Sequence, residues 1–451
     1  MTLPVLAGGI YLPPGHPREE EIRWQLRLPN PERERVAKLR RQGRRIRQPE
    51  PWVEACVVLP EGHAWYGGLA VPRHGIELDV DDRRTAPAAT PLPFSPILRP
   101  YQSDALQAWQ AAGEEGLVEA PCGSGKTVIG LAAVACTPTP ALVLVHTHDL
   151  LNQWAERAQS EWWDVEVIAD GSGPKDGRLV VATIQTLYQW DFWERHRWAR
   201  QFGLVVQDEA HHVPAMMFSE VMLTLPARRR LALSATPERS DGLTQILHWH
   251  CGPTVYQVEQ EVLVDAAVVL APDVEPVRTG WEPDERIEWT KMINRATLDE
   301  PRNDLLLRRL RRETDKGARI LVLTERREHA ELIAGQLQDA WIGAVAVHSR
   351  LKDRDRKARL EAVASDDAQV LVATQLADEG LDLPALDTLV LTCPQKGGGR
   401  LRQRVGRVSR TAVGKGGAKV LDLVDSGWLA KLWYSRERTY RELGCRVGRA
   451  A

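Results

Sequence analysis

The chain has 451 residues, too many for one ordinary hydrophobic core, so two or three domains are expected. A formal net charge of −2 excludes a uniformly basic binder of nucleic acid, so any such surface must be local. The six cysteines form no C-x-x-C pair, which argues against a zinc site or disulfide framework; with no secretion signal and no membrane-spanning apolar run, a soluble cytoplasmic protein is expected.

Residues 1 to 94 are rich in proline and irregular. Arg33, Arg35, Lys38, Arg40, Arg41, Arg44, Arg45 and Arg47 stand against Glu34 alone between positions 33 and 47. This run fits either a solvated face or arm, or a contact with a phosphate backbone. Val53 to Leu59 and Trp65 to Val71 read as two strands joined by Pro60-Glu61-Gly62-His63, and Asp79 to Pro96 as a linker. A small accessory module, which would bind nucleic acid or a protein partner, is therefore expected ahead of the main body. Sixteen tryptophans against four phenylalanines are unusual; Trp154, Trp162, Trp163, Trp190, Trp193 and Trp198 crowd one region, where packing is the first reading and base stacking the second.

From Leu98 onward, short apolar strands alternate with amphipathic helices. Leu117–Glu119, Ala141–Val145, Leu179–Ala182, Leu204–Gln207 and Leu231–Ser234 are strands, with helices such as Ser103–Ala112 and Asp149–Gln159 between them. The pattern recurs in Arg319–Leu323, Ala344–His348, Val370–Ala373, Thr388–Leu391 and Lys419–Leu423, with helices at Glu328–Gln338 and Asp353–Ala364. Alternation of this kind implies parallel sheets covered on both faces, with ligands at the carboxyl ends of the strands. Val262 to Asp315 reads as less regular and as the place for a hinge.

Glu119-Ala120-Pro121-Cys122-Gly123-Ser124-Gly125-Lys126-Thr127 precedes an apolar helical run. Glycines let backbone N–H groups turn inward around a polyphosphate, and the following helix points its positive end at the anion. Lys126 would reach the β- and γ-phosphates of ATP, and the Thr127 hydroxyl would hold Mg²⁺. Ala120 stands where this loop pattern has its first glycine. Downstream, an apolar strand ends in Asp208-Glu209-Ala210-His211. Asp208 would complete the Mg²⁺ shell, and Glu209 would orient and deprotonate an attacking water.

With these motifs in order, the chain resembles superfamily 2 helicases and translocases with a DEAH-type box, over roughly residues 98 to 445. Arg99-Pro100-Tyr101-Gln102 resembles the adenine-sensing motif, which implies that Arg99 and Gln102 contact the base. Val145-His146-Thr147-His148 and Thr183-Ile184-Gln185-Thr186 resemble the two motifs that hold the phosphates of a strand, implicating Thr147, Thr183, Gln185 and Thr186. Ser234-Ala235-Thr236-Pro237 resembles motif III. Its extension Glu238-Arg239-Ser240-Asp241-Gly242 is similar to the branch with xeroderma-pigmentosum type B repair helicases, phage recombination helicases and restriction-type translocases.

Val372 to Pro384 resembles motif V, which implies Gly380 against the nucleotide, Asp382 on its ribose and Thr374 on a nucleic-acid phosphate. Gln403-Arg404-Val405-Gly406-Arg407-Val408-Ser409-Arg410 resembles motif VI, with Gln403 in the catalytic set and Arg407 and Arg410 as arginine fingers on the γ-phosphate. Ser409 stands where many relatives have glycine. The closing stretch Arg436 to Gly444 resembles the terminal helix of the branch, leaving little room for an added nuclease or methyltransferase.

The resemblance implies an α/β fold: two RecA-like parallel-sheet lobes with an ATP cleft between them, preceded by the small α+β module. The expected divisions are 1–94, 95–275 and 276–451. The implied protein is an ATP- and Mg²⁺-dependent DNA helicase or translocase of bacterial, archaeal or phage origin. It would move 3′ to 5′ on single-stranded or junction DNA, in repair, recombination or replication. An RNA helicase, or an ATP-gated remodelling or recruitment subunit that does not separate strands, are the alternatives.

Overall fold

A computed structural model describes residues 3–41, 45–54, 56–59, 62–65, 78–121, 123–209, 215–235, 242–266, 268–283, 287–374, 383–412 and 414–448. The backbone divides into two units: Met1–Ala120 with Gly125–Val258, and Glu259–Ala451 with Pro121–Ser124. No described helix is long and apolar enough to cross a membrane.

The first unit is built on seven parallel strands. In spatial order they are Glu166–Ile168, Leu179–Thr183, Ala141–Val145, Leu204–Asp208, Arg229–Ser234, Glu115–Glu119 and Thr254–Gln257. Ala141–Val145, Leu179–Thr183 and Leu204–Asp208 are buried at every position. That is why they read as unbroken apolar runs: a parallel sheet has helices on both faces and no solvent side.

The N-terminal residues form a small α+β module on this sheet. Cys56–Leu59, Gly62–Trp65, Ile10–Leu12, Val5–Leu6 and Asp81–Asp82 make a five-stranded sheet, and Arg27–Pro29 pairs with Trp52–Glu54 in a separate ribbon. Two sequence expectations need correction here. The expected strand Val53–Leu59 is two strands serving different sheets. The turn is also shorter than Pro60–His63, because Gly62 and His63 already pair with Leu59 and Val58; residues 66–71 lie outside the described set.

The module shares its core with the first unit, since Ile10, Leu12, Ile22 and Leu26 pack in one cluster with Leu223 and Leu225. The buried Arg230 guanidinium ties the two together by donating to the carbonyls of Gly8, Leu225 and His250. Residues 83–99, as their prolines dictate, are almost without regular structure. They are nonetheless laced to the first unit rather than free: Trp163 Nε1 donates to Pro93 O, Arg178 Nε to Thr90 O, and Ala89 N to Pro138 O.

The second unit repeats the design. Its parallel order is Ala344–Val347, Val370–Ala373, Ile320–Leu323, Thr388–Leu391, Lys419–Val424, Asp273–Arg278 and Arg446–Val447. The expectation that Val262 to Asp315 is irregular is overturned. It carries the strand Asp273–Arg278 and the helices Gln260–Asp265, Trp289–Leu298 and Glu300–Thr314. Prolines hid these elements. Pro276 is tolerated in a strand because the edge strand Arg446–Val447 pairs only with Asp273 and Val274, so Pro276 has a neighbour on one side alone. Pro301 lies in the first turn of its helix, where a missing N–H costs nothing, and Asp299 caps that turn through Arg302 N.

Gly8 tests the docking of the module. A Cβ there would lie 1.9 Å from Leu223 O and 2.4 Å from Leu223 C, both backbone atoms. Gly8→Ala is expected to lower the unfolding free energy by about 1–3 kcal/mol, the cost of overpacking. Gly416→Ala, which meets nothing within 4 Å, is expected to stay within ~0.5 kcal/mol of the parent. Urea unfolding of both variants checks this, and equal stability would refute the tight docking.

Candidate nucleotide-binding site

Three parallel strands end side by side and carry the chemistry. Arg229–Ser234 lies between Glu115–Glu119 and Leu204–Asp208, and its carbonyls hold both neighbours: Ala120 N donates to Ser234 O at 2.8 Å and Glu209 N to Leu233 O at 2.9 Å. The glycine-rich loop and the acidic pair are thus hung from one strand. Ala120 is fully buried and is not among the residues with positive φ, so the absent glycine is not missed at this position. Gly123 and Gly125 do require glycine, with φ of 87° and 81° in the left-handed region.

The helix Lys126–Cys136 begins directly after Gly125. Lys126 Nζ lies 3.0 Å from Glu209 Oε1 and donates to Ala120 O at 3.2 Å. Glu209 itself has φ of 51°, a strained backbone for a non-glycine residue that costs about 1–3 kcal/mol. That twist turns its carboxylate toward Lys126. Gln102 is buried, its Oε1 accepts from Arg99 N at 3.0 Å, and its Nε2 lies 2.5 Å from the position a Cβ would take at Gly125. The glutamine therefore caps its own helix and lies against the loop at once, while Arg99 reaches Tyr101 Oη.

Asp208 is 2% exposed and accepts from Trp154 Nε1 at 2.8 Å on Oδ2; Oδ1 is buried with no hydrogen-bond partner among the described residues. Burial and the neighbouring Glu209 charge push its carboxyl up to about 6, against the opposing pull of Lys126 and the Trp154 N–H. An orphaned carboxylate oxygen beside a phosphate loop fits a divalent cation, whose remaining partners would be Thr127 and phosphate oxygens. Trp154 is a residue that sequence reasoning grouped with packing tryptophans. Its ring is seated against Gly130 of the helix Lys126–Cys136, where a Cβ would fall 2.3 Å from Trp154 Cη2. A glycine inside that helix, one residue after Ile129, was the available signal.

The residues expected to hold a strand divide into two groups. Gln185 Nε2 donates to His146 O at 3.0 Å, joining two of the motifs, and Thr147 caps the helix His148–Gln159 by accepting from Leu150 N. Thr183 and Thr186 are buried, and their hydroxyls bond each other at 2.7 Å, so as they stand they do not face a strand. In the second unit, Thr374 follows Val370–Ala373 and its N–H donates to Val347 O. On the helix Gly399–Ser409, Gln403 and Arg404 are buried and Arg407 is partly exposed, as is Arg410, the extended residue that ends the helix. Ser409 is accommodated where glycine was expected, its hydroxyl bonding back to Val405 O at 2.9 Å. Cys122, Ala210, His211, Gly380, Asp382 and the stretch Thr236–Asp241 lie outside the described residues.

The Asp208 carboxyl makes a measurable signature. Between the ordinary carboxyl value and about 6, the folded chain holds a proton that the unfolded chain has released. Stability therefore falls as pH rises through that window and stays at the lower level above it. Asp208→Asn removes this loss, so it is expected to exceed the parent by on the order of 1–3 kcal/mol at pH 8, with a smaller gain at pH 5. Urea unfolding at both pH values decides, and a gain independent of pH would count against the buried charge.

Two family models match the chain in order: "Type III restriction enzyme, res subunit" over residues 95–239 and "Helicase conserved C-terminal domain" over residues 302–412. A Rad25-type chain of Halobacterium salinarum is 29% identical over 377 residues, covering 81% of this chain and 59% of that one. The DNA 3′-5′ translocase XPB2 of Sulfurisphaera tokodaii is 26% identical, covering 71% of this chain and 81% of that one. This chain spans 59%, 64% and 52% of the length of three of its curated relatives. Among solved structures, S. cerevisiae Dbp5 bound to RNA and ADP BeF3 superposes with a TM-score of 0.58 at 16% identity, over 77% of this chain and 89% of that one. The Hef helicase domain of Pyrococcus furiosus does so at 0.51 and 19%, over 76% and 98%; these likenesses show two RecA-like lobes. The chain thus matches both helicase domains and is similar to superfamily 2 helicases of the XPB-like branch.

Proposed function

We propose that this chain is an ATP-dependent DNA translocase and helicase moving 3′ to 5′, in DNA repair, recombination or replication. The observation that carries the reading is the cluster of Lys126, Glu209 and Asp208 at the glycine-rich loop, with Lys126 paired to Glu209 at 3.0 Å. The names of the XPB and Rad25 relatives support DNA as the track.

In the proposed reaction, backbone N–H groups from Cys122 to Thr127 cradle the phosphates, with Pro121, which has no N–H, opening the loop, and Arg99 and Gln102 meet the base. Lys126 binds the β- and γ-phosphates, exchanging one oxygen anion, that of Glu209, for another. Glu209, released, orients water for attack on the γ-phosphorus and takes its proton. Thr127 and the orphaned Oδ1 of Asp208 hold Mg²⁺, which when bound neutralises charge on the phosphate oxygens. Arg407, on one helix with Gln403, and Arg410, just past its end, stabilise charge developing on the transferred group, while Gly380 and Asp382 contact the nucleotide. Thr147, Gln185 and Thr374 hold the phosphates of the DNA strand, together with Thr183 and Thr186, whose hydroxyls bond each other in the absence of a strand.

ATP turnover should be measured without nucleic acid and with single-stranded DNA, duplex DNA and RNA. Single-stranded DNA is expected to raise the rate most, and a 3′-tailed duplex to be opened in preference to a 5′-tailed one. Equal rates in all four conditions would overturn the motor reading, and strongest stimulation by RNA would replace DNA as the track. Glu209→Gln is expected to lose turnover by about 100-fold or more while still binding ATP.

Trp154 acts through Asp208 and is a positioning residue. Trp154→Phe keeps the ring against Gly130 but removes the N–H, so the metal concentration for half-maximal turnover is expected to rise about tenfold. Mn²⁺ binding by electron paramagnetic resonance in the presence of ADP should weaken in parallel. ADP binding without metal should stay unchanged, and a weakened metal-free affinity would mean a merely structural role.

A further inference from the structure

The N-terminal ribbon carries a feature that the ATPase does not use. Arg27–Pro29 and Trp52–Glu54 pair antiparallel with Leu28 opposite Val53 and Pro29 opposite Trp52. Side chains alternate across a strand. Leu28 and Val53 turn inward against the core of the first unit, which sends Arg27 and Trp52 to the other face. Trp24, on the helix Glu19–Gln25, completes the set: the Arg27 guanidinium lies 3.4 Å from the Trp24 ring centroid and 4.3 Å from that of Trp52.

Both indoles remain open to solvent, Trp24 at 64% and Trp52 at 42%. Two large apolar rings held apart by a shared cation are a rigid surface, because cation–π attraction fixes the rings without burying their outer faces. Leaving them exposed forgoes apolar burial, in a chain that buries Trp109, Trp154 and Trp249 almost completely.

The charge around the rings selects the occupant. The acids of the helix Glu19–Gln25 are already matched: Arg18 pairs with Glu21, and Arg23 with Glu19 and Glu20. The chain leaves the ribbon at Asn30, whose Oδ1 accepts from Glu32 N, and enters the helix Glu32–Arg41. Among the described residues, Arg27, Arg33, Arg35, Arg41, Arg45 and Arg47 make no ion pair with a carboxylate. Stacking rings beside unmatched guanidinium groups suit unpaired bases on a polyanionic backbone; the bases of a duplex are closed to stacking. Pro31, between ribbon and helix, has its Cβ 3.8 Å from the place a Cβ would take at Gly242, the last residue of the motif III extension. The first family model begins at residue 95, so this feature lies outside both matched domains.

We propose that Trp24, Arg27 and Trp52 form a stacking platform for the unpaired bases of a single DNA strand, with the arginines of the helix Glu32–Arg41 holding its phosphates. This rests on the DNA-motor reading and supplies a second grip for the strand on the first unit.

The test uses the full chain without nucleotide. Fluorescence anisotropy compares an oligothymidine of about 16 nucleotides with an abasic oligomer of the same length. Trp24→Ala with Trp52→Ala is expected to bind oligothymidine at least tenfold more weakly, to bind the abasic strand as the parent does, and to melt within a few degrees of it. Trp24→Phe with Trp52→Phe, which keeps a π-face, is expected to retain most of the affinity. Unchanged oligothymidine binding in the alanine variant overturns the platform, as does an equal loss on the abasic strand. Self-association of the parent that the variant loses, with DNA binding unaltered, also overturns it in favour of a second copy as occupant. If single-stranded DNA fails to stimulate ATP turnover of the parent, the motor reading fails. If it stimulates the parent and the alanine variant binds like the parent, the platform alone fails.

Discussion

The ion pair between Lys126 and Glu209, set against the buried carboxyl of Asp208, is the constraint around which the first unit is arranged. Adjacent carboxylates repel in a dry site, and the Lys126 ammonium offsets that repulsion in part. Such a cluster lowers stability unless the fold over-determines it. The over-determination is visible: Leu233 O holds Glu209 N, Ser234 O holds Ala120 N, Trp154 holds Asp208, and Gly130 yields its side-chain volume to that tryptophan. The strained φ of Glu209 belongs to the same set. Local stability is given up in the buried carboxyl of Asp208 and the backbone of Glu209, and the surrounding hydrogen bonds hold both where three parallel strands end.

Charged residues in the second unit show the opposite economy. Arg302 and Asp425 are buried together at 2.8 Å, as are Arg436 and Asp422, with Tyr440 Oη donating to Asp422 as well. Each of these four charges is matched, and each pair ties a helix to the strand Lys419–Val424 or the residue just after it. Around the helix Gly399–Ser409 both fates occur: Arg404 is buried and bonds Gln395, while Arg407 in its last turn and Arg410 just past its end stay partly open. Matched burial marks the arginines that build the fold, and partial exposure marks the two proposed to meet the γ-phosphate.

How much of this was legible in the amino-acid order follows from which forces are local. The strands were readable because a doubly covered parallel sheet demands unbroken apolar runs such as Ala141–Val145 and Val370–Ala373. The phosphate loop was readable because Gly123 and Gly125 adopt a backbone other residues resist. Long-range pairings left no local trace. The division of Val53–Leu59 between two sheets depends on partners at Arg27 and Gly62. The lacing of residues 83–99 depends on Trp163 and Arg178, some 70 and 88 positions away from their acceptors. The bond from Trp154 to Asp208 spans 54 residues, so a tryptophan among six in one region gave no sign of its partner. The strand Asp273–Arg278 and the helix Glu300–Thr314 were hidden by Pro276 and Pro301, whose tolerance depends on edge and end positions that a window of sequence does not reveal.

The Lys126–Glu209 pair also imposes an order on the proposed cycle. While the two are joined, the ammonium and the carboxylate occupy each other, so neither is ready for its task. A triphosphate carries more negative charge than one carboxylate, and its arrival favours the exchange that frees Glu209. In the proposed cycle, activation of water is tied to occupation of the phosphate loop through this shared contact. In that scheme Asp208, held by Trp154 and never a partner in the exchange, keeps its orientation through the whole cycle. The two neighbouring acids then differ in role because one is bonded to a rigid indole and the other to a mobile lysine.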